Sequence, residues 1–168
     1  DTVSQTNIAT QGVFYSEMRE PKVNAIRRSI QDINPDAQVM AISRFLDNNM
    51  SDRDFEKIVG KKLFENPKDI LIAGCTDNFH ANARASRLAL KYGTPYLQAG
   101  LYQGGTACEI SFSYPGVTPS CSRCATSSRY KAYEKGFKND TTSEGCPVFA
   151  TEMMNSMKGY ISLMLLLY

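Results

Sequence analysis

The feature that most constrains the fold is a compact apolar run at residues 70–73, which leads through Gly74-Cys75-Thr76-Asp77-Asn78 into a helical pattern. A short apolar run bounded by turn residues is typical of a buried parallel strand. The next helix is predicted over 79–92, because Gly93 then provides a C-cap. These segments predict one strand–loop–helix unit of an α/β fold, with the polar loop at the carboxyl end of its strand.

The rest of the chain alternates between similar patterns. Alternation of this kind favours a mostly parallel sheet with helices on both faces. Because 168 residues build one substantial core, we expect an α/β, Rossmann-like three-layer domain over residues 1–168, with an incomplete sheet. The further helices are predicted from Pro21 to Ile33, over 52–62 and from about Pro147, and the further strands over 38–43, 95–98 and 108–114.

Two stretches lack a periodic pattern, and both are predicted to be loops: residues 1–20 and the polar segment 125–144. The last predicted helix carries apolar side chains at helical intervals, and we assign them to the core because such spacing normally marks a buried face. These side chains are Met153, Met154, Met157, Leu163 and Leu167.

Composition excludes several classes of function. A formal net charge of +2 is too small to indicate binding to nucleic acid or to an anionic membrane. The most apolar stretch, 161–168, is far shorter than a bilayer span. Five irregularly spaced cysteines argue against a secreted disulfide framework. We therefore expect a cytoplasmic protein with no nucleic acid and no membrane among its partners.

Both ends of the sequence indicate a fragment. The chain opens at Asp1 without an initiator Met, and it closes on Leu165-Leu166-Leu167-Tyr168 without a residue that would end a helix. We expect a part of a longer protein. A Rossmann sheet that lacks its first strands would expose an edge, which favours pairing with another chain.

Asp77 is the first candidate site residue, because it follows the predicted buried strand directly. Ligands of open α/β sheets bind beyond the carboxyl ends of the strands. A carboxylate at that place can hold Mg²⁺ against phosphate oxygens. The alternative is that Asp77 only caps the next helix, which is a common use of Asp.

Three further residues could contact a nucleotide. Lys22 lies near a predicted helix start and could reach a phosphate as a mobile charge. Asn7 and Gln11 are amides in a predicted loop, and they could position a nucleotide or turn the backbone. Taken alone, Lys22 also fits an ordinary solvated surface lysine.

The cysteines offer two kinds of chemistry. Cys121 and Cys124 form a CxxC pair that suits one half of a tetrahedral zinc site, with a redox pair or free structural thiols as alternatives. Cys146 precedes Pro147 at a predicted helix start, where the helix dipole favours a thiolate. It is either a nucleophile or a small packing residue. His80 is the single histidine and is assigned to a helix surface.

Five segments occur in an order that is more specific than any one of them. Residues 1–11 resemble D-x-V-x-x-S-N-L-x-R-Q, Glu20-Pro21-Lys22 resembles G-x-P-K, and Ile33-Asn34-Pro35 resembles I-N-P. Cys75-Thr76-Asp77-Asn78 resembles C-T-D-N, and residues 114–124 resemble P-G-x-x-P-C-x-x-C. In this order and spacing the chain resembles the ThiF/MoeB adenylating enzymes, relatives of the ubiquitin-activating enzymes.

The resemblance implies a function for each candidate. It implies ATP-dependent adenylation of the C-terminal carboxylate of a small ubiquitin-like or sulfur-carrier protein, by a homodimer. Asp77 would hold catalytic Mg²⁺, Lys22 would contact ATP phosphates, and Asn7 and Gln11 would shape the nucleotide site. Cys146 lies near the position of a crossover-loop cysteine, which suggests a later thioester step. Zn²⁺ would bind Cys121 and Cys124 structurally, together with a second CxxC.

The sequence also departs from the family pattern. The glycine-rich nucleotide loop and the ribose-binding acidic residue are not among these residues, Thr10 replaces an arginine, and Asn82 replaces another. These changes raise an alternative, a degenerate module that binds a ubiquitin-like partner without activating it. A third hypothesis, a nicotinamide-dependent Rossmann oxidoreductase, would need a glycine fingerprint that nothing in this sequence supplies.

Overall fold

The computed structural model describes residues 1–47, 49–137 and 145–168. Its helices cover the two faces of a single sheet, and short 3₁₀ turns connect several of them. The helices are α1 (Gln5–Thr10), α2 (Lys22–Ile33), α3 (Asp52–Val59), α4 (Phe79–Tyr92), α5 (Ser122–Ala125), α6 (Ser127–Glu134) and α7 (Val148–Leu167), and the strands are β1 (Ile72–Gly74), β2 (Tyr96–Tyr102) and β3 (Ala107–Ser113). The α/β expectation is confirmed.

The sheet has the order β1-β2-β3. β1 and β2 are parallel and are joined by α4, which is the crossover that parallel strands need. β3 runs antiparallel to β2, because only the short turn Gln103–Gly105 separates them. The crossover unit predicted from residues 70–93 is therefore present, and its loop lies at the carboxyl end of β1.

Two apolar clusters hold the sheet between its helices. On the α4 side, Ala85 and Ala89 pack with the fully buried Tyr96. The second cluster joins Leu97 of β2 to Leu165 of α7. The three layers are thus α4, the sheet and α7, and the loop after β1 lies where all three meet.

The N-terminal segment differs from the predicted loop, because residues 5–10 form α1. Asn7 Oδ1 accepts hydrogen bonds from the Ser4 amide at 2.8 Å and from the Ser4 hydroxyl at 2.9 Å. The bond from the Ser4 amide satisfies one of the backbone N–H groups that have no intrahelical partner at a helix start. The six-residue helix has no buried face that a periodicity search could detect.

The strand predicted over 38–43 is absent, since these residues have no regular structure. Among the described residues no strand pairs with the free edge of β1, and an apolar segment without a partner cannot form a ladder. The nearest residue that packs against the α4 cluster is Leu46, just beyond the segment.

The predicted loop over 125–144 is also wrong in part. Residues 127–134 form α6, and residues 138–144 lie outside the described residues. The cause of α6 is tertiary, because the Tyr130 ring packs on Phe79 of α4 with centroids 3.9 Å apart. The polar sequence of α6 shows no apolar periodicity, so its helical state could not be predicted from spacing.

One side of α7 packs on the sheet through Leu165 and Ile161, and Ala150 near the start of the helix is also buried. The opposite side exposes four of the five side chains that were assigned to the core, and that assignment is wrong because the sheet covers only one side of the helix. These four are Met153, Met157, Leu163 and Leu167. None of the helices in the described residues has the length and apolarity needed to span a bilayer.

Candidate functional site

The loop after β1 is held in shape by short polar contacts. Asn78 caps α4, since its Oδ1 accepts a hydrogen bond from the Ala81 amide at 3.0 Å. The Thr76 hydroxyl oxygen accepts from the Asn78 amide at 3.0 Å. One turn into α4, Asn82 Nδ2 donates to the Thr76 carbonyl oxygen at 2.8 Å. The loop is therefore fixed at both of its ends.

Beneath this loop the backbone of Gly74 lies against two polar side chains. A methyl group on Gly74 would come within 2.7 Å of Asn82 Oδ1 and closer still to the Tyr96 hydroxyl. That hydroxyl donates to the Asn82 carbonyl oxygen at 3.0 Å or to Gln98 Oε1 at 2.9 Å. Burial raises the pKa of Tyr96 far above its usual range, so it remains a neutral donor. Position 74 therefore requires glycine, because a larger side chain would collide with Asn82 and Tyr96.

Asp77 lies at the centre of the loop, with its side chain exposed. The helix cap that was an alternative role for Asp77 belongs to Asn78. Among the described residues no hydrogen bond or salt bridge engages the Asp77 carboxylate. A fixed loop thus presents a free carboxylate at the carboxyl end of a parallel strand, which is where α/β proteins bind ligands.

The amide candidates lie on α1. Asn7 uses its Oδ1 at the helix start, and Gln11 ends the helix with its side chain exposed. Thr10 lies between them, and its hydroxyl donates to the Thr6 carbonyl oxygen at 2.8 Å. Its carbonyl oxygen accepts from Thr151 of α7 at 3.1 Å. α7 therefore anchors the segment that carries Asn7 and Gln11.

Lys22 is the first residue of α2, and its Nζ lies 2.8 Å from Asp1 Oδ2. The Asp1 side chain is 70% exposed. The Lys22 side chain is 22% exposed, so solvent reaches the pair mainly through Asp1. Ion pairs with a solvated partner are weak, so an anionic ligand could compete for this ammonium group. No described contact joins Lys22 to Asp77.

α7 connects the α1 region to the loop after β1. Besides the Thr151 bond to α1, Lys158 of α7 places its Nζ 3.8 Å from Cys75 Sγ, two residues before Asp77. Sequence reasoning missed both Lys158 and the anchoring role of Asn82. The position of Asn82, one helical turn after Asn78, is a signal that could have indicated the latter.

Cys121 and Cys124 lie at the two ends of one helical turn. Their Sγ atoms are 3.4 Å apart, and the Cys124 amide donates to Cys121 Sγ. Burial opposes ionisation of Cys121, but the hydrogen bonds from Cys124 outweigh it and hold its pKa below the usual value. The same thiol contact raises the pKa of Cys124. No group of three or more metal-ligating side chains exists in the part of the chain that the structure describes.

Cys146 is half-buried and precedes α7 by two residues. It lies in an open groove of about 380 Å³ together with Thr10 of α1, Gly104 and Pro147. The structure thus brings Cys146 next to the segment that carries Asn7 and Gln11, although Cys146 and Thr10 lie near opposite ends of the sequence.

Comparison with known proteins decides the family. The sequence profile of the ThiF family matches residues 1–167. The chain belongs to the ThiF family. It is 25% identical over 128 residues to ubiquitin-like modifier-activating enzyme 5 of Dictyostelium discoideum, a match that covers 74% of this chain and 32% of that protein.

Solved structures support the same fold. The chain superposes on E. coli MccB with ATP with a TM-score of 0.56, at 20% identity, over 85% of this chain and 40% of that one. For MccB with succinimide the TM-score is 0.53, at 18% identity, over 84% of this chain and 40% of that one. The chain therefore spans about a third to two fifths of the length of these ThiF relatives.

Proposed function

We propose that this ThiF-family chain takes part in ATP-dependent adenylation of the C-terminal carboxylate of a small ubiquitin-like or sulfur-carrier protein. The observation that carries the proposal is Asp77, an exposed carboxylate that no described residue engages, on a fixed loop at the carboxyl end of β1. The ThiF assignment and an activating-enzyme relative support adenylation at the level of the family. MccB has been crystallised with ATP, and also with AMPCPP and MccA.

The step requires positioning and charge neutralisation. A carboxylate oxygen of the carrier forms a bond to the α-phosphorus of ATP, the bond from that phosphorus to the β-phosphate oxygen breaks, and pyrophosphate leaves. We assign Lys22 to the phosphates, and Asn7 and Gln11 to positioning the nucleotide. Donors and cations aimed at the developing charge commonly lower such barriers by several kcal/mol.

The Asp77 carboxylate is suited to be a ligand of Mg²⁺. Mg²⁺ is usually held by one or two carboxylates together with substrate phosphate oxygens, and Asp77 is a free hard-oxygen donor at the expected place. When bound, the ion would neutralise charge on the phosphate oxygens. Asp77 would then orient the phosphates relative to the carrier carboxylate.

The test is pyrophosphate exchange into ATP by the longest native form of the protein. We expect exchange only when a carrier with a free C-terminal carboxylate is present. The same carrier with an amidated C-terminus is the control, since it keeps the binding surface and loses the nucleophile. Exchange that proceeds equally with the amidated carrier would contradict the proposal.

Thr10 favours a second candidate, a module that binds a ubiquitin-like protein without activating it. Its hydroxyl is engaged within α1 and cannot replace a phosphate-facing guanidinium. Carrier binding that is unchanged by Asp77→Ala, in a protein without any exchange activity, would establish this candidate instead.

Cys146 is proposed to accept the activated carrier. Its thiolate would attack the acyl carbon of the adenylate, forming a carbon–sulfur bond while AMP leaves. We expect Cys146→Ser to retain exchange and to lose a carrier conjugate that dithiothreitol cleaves, as seen by intact-protein mass spectrometry. Cys108→Ser, at an exposed cysteine that does not line the groove, should retain both. A thiol-sensitive conjugate that survives Cys146→Ser would refute this assignment.

Structural zinc at Cys121 and Cys124 is a separate proposal, because the described residues supply only these two thiolates of a four-ligand site. We expect the longest native form, purified under reducing conditions, to contain about one zinc per chain. Cys121→Ser should lower that content, and Cys108→Ser should not. Metal analysis that finds no zinc in the reduced wild-type protein would exclude the site.

A further inference from the structure

A second cavity lies on the α4 side of the sheet, between α4 and the α5–α6 segment, with a volume of about 250 Å³. Its walls combine aromatic and arginine side chains. We call it the arginine pocket and define it by Phe79, Arg84, Arg87, Arg123, Tyr130 and Glu134. None of these residues belongs to the candidate ATP site described above.

The aromatic wall fixes the position of one arginine. The Tyr130 ring packs on Phe79 with centroids 3.9 Å apart, and the Arg123 guanidinium lies 5.0 Å from the centre of the Tyr130 ring. Stacking of this kind limits the freedom of a guanidinium while it leaves the N–H groups available for an acceptor. Ser122, next to Arg123, is buried, and its hydroxyl lies 2.9 Å from the Ser111 hydroxyl of β3.

The pocket carries positive charge that the described residues do not neutralise. Neither Arg87 nor Arg123 forms a salt bridge within the described ranges, whereas Arg28 and Arg129 both do. Arg84 is 4% exposed, and its guanidinium binds Asp52 and the Met50 carbonyl oxygen.

A polar atom of the same wall lacks a partner. Arg84 Nε is buried, and no acceptor in the described part of the chain takes its N–H. Among the described residues, Glu134 is the carboxylate of the lining. Because Arg84 is already paired with Asp52, the guanidinium groups of Arg87 and Arg123 remain against the Glu134 carboxylate. A surplus of about one positive charge favours an added anion of low charge, such as a single carboxylate, over the several charges of a triphosphate.

The pocket lies close to the place where a carrier terminus would react. Phe79 in its wall is two residues after Asp77, which limits the Cα separation to about 7 Å. A chain whose last carboxylate lies at Asp77 can therefore reach the pocket with a residue a few positions before its end.

We propose that the arginine pocket binds an acidic side chain of the polypeptide substrate, a few residues before its C-terminus. This inference rests on the proposed function for its substrate. Arg87 and Arg123 hold the carboxylate by charge-assisted hydrogen bonds, and the aromatic rings contact its aliphatic part. The pocket thereby selects carriers with an acidic tail.

Binding is tested without ATP, by fluorescence anisotropy with labelled hexapeptides that end in Gly-Gly. One probe has Glu and Asp at its first four positions, and the other has Gln and Asn there. We expect the acidic probe to bind, and Arg87→Gln/Arg123→Gln to weaken it by about tenfold or more, as for the loss of charged hydrogen bonds. The matched variant Arg27→Gln/Arg53→Gln removes two exposed arginines elsewhere and should bind as wild type.

Equal binding of the two probes, or unchanged binding by the Arg87/Arg123 variant, would overturn the inference. Complete displacement of the acidic probe by millimolar inorganic phosphate would also overturn it, because the site would then be a general anion site. Pyrophosphate exchange separates the two proposals. If the protein binds the acidic probe but shows no exchange, the pocket proposal stands and the adenylation proposal fails. If it shows exchange but does not prefer the acidic probe, adenylation stands and the pocket proposal fails.

Discussion

Asp77→Asn is expected to reduce carrier-dependent pyrophosphate exchange by about 10²–10³-fold, the usual effect of losing one group that stabilises the transition state electrostatically. The carboxamide has nearly the same shape as the carboxylate, and it cannot supply the negative oxygen that Mg²⁺ prefers. The loop should keep its structure, since Thr76, Asn78 and Asn82 hold it without help from the Asp77 side chain.

The matched control for this change is Asp69→Asn. Asp69 is also an exposed aspartate, and it ends the short turn Pro67–Asp69 before β1. Both variants should unfold at the wild-type temperature. A loss of exchange in Asp77→Asn alone would therefore reflect a defect in the reaction and not a loss of stability. Wild-type exchange rates in Asp77→Asn would show that the carboxylate takes no part in the reaction.

Gly74→Ala is expected to lower the free energy of unfolding by about 1–3 kcal/mol, the range for overfilling a packed site. The added methyl group would collide with Asn82 Oδ1 and the Tyr96 hydroxyl. Movement of Asn82 would release the Thr76 carbonyl oxygen and disturb the loop that carries Asp77. Urea denaturation measures the first effect, and the exchange rate measures the second.

Two controls isolate the steric cause. Gly159→Ala places the same methyl group on α7, where no atom beyond the adjacent residues and the local helix backbone lies within 4 Å, and should not destabilise the protein. Tyr96→Phe removes the nearest colliding atom, so the double variant Gly74→Ala/Tyr96→Phe should lose less than the sum of the two single changes. Full additivity in this cycle would contradict the contact between Gly74 and Tyr96.

The parts of the fold that could be predicted are those in which local sequence determines structure. The crossover over 70–93 combines an apolar strand, a capped helix start and Gly93, whose φ of +71° suits glycine. α6 has no such signal, because its helical state depends on the contact of Tyr130 with Phe79. The failed strand at 38–43 shows the same limit, since a strand also needs a neighbour that pairs with it.

The candidate site could likewise be predicted only in part. Asp77 could be selected as a candidate from the sequence because its motif directly follows the predicted strand, and its role stays a prediction. The contacts that hold the loop around Asp77 could not be predicted, since Asn82 contacts Thr76, Tyr96 contacts Asn82 and Lys158 of α7 contacts Cys75 only in three dimensions. The grouping of Cys146 with Thr10 likewise depends on the path of α7 across the sheet.

Direct observation of the acyl-adenylate tests the central claim most closely. The longest native form would be incubated with ATP, Mg²⁺ and each of a panel of ubiquitin-like and sulfur-carrier proteins, and hydroxylamine would trap any activated carboxylate. The account predicts a C-terminal hydroxamate on one carrier, in wild type and not in Asp77→Asn. A protein that binds ATP and a carrier, yet yields no hydroxamate on any carrier of the panel, would contradict adenylation and establish a binding module.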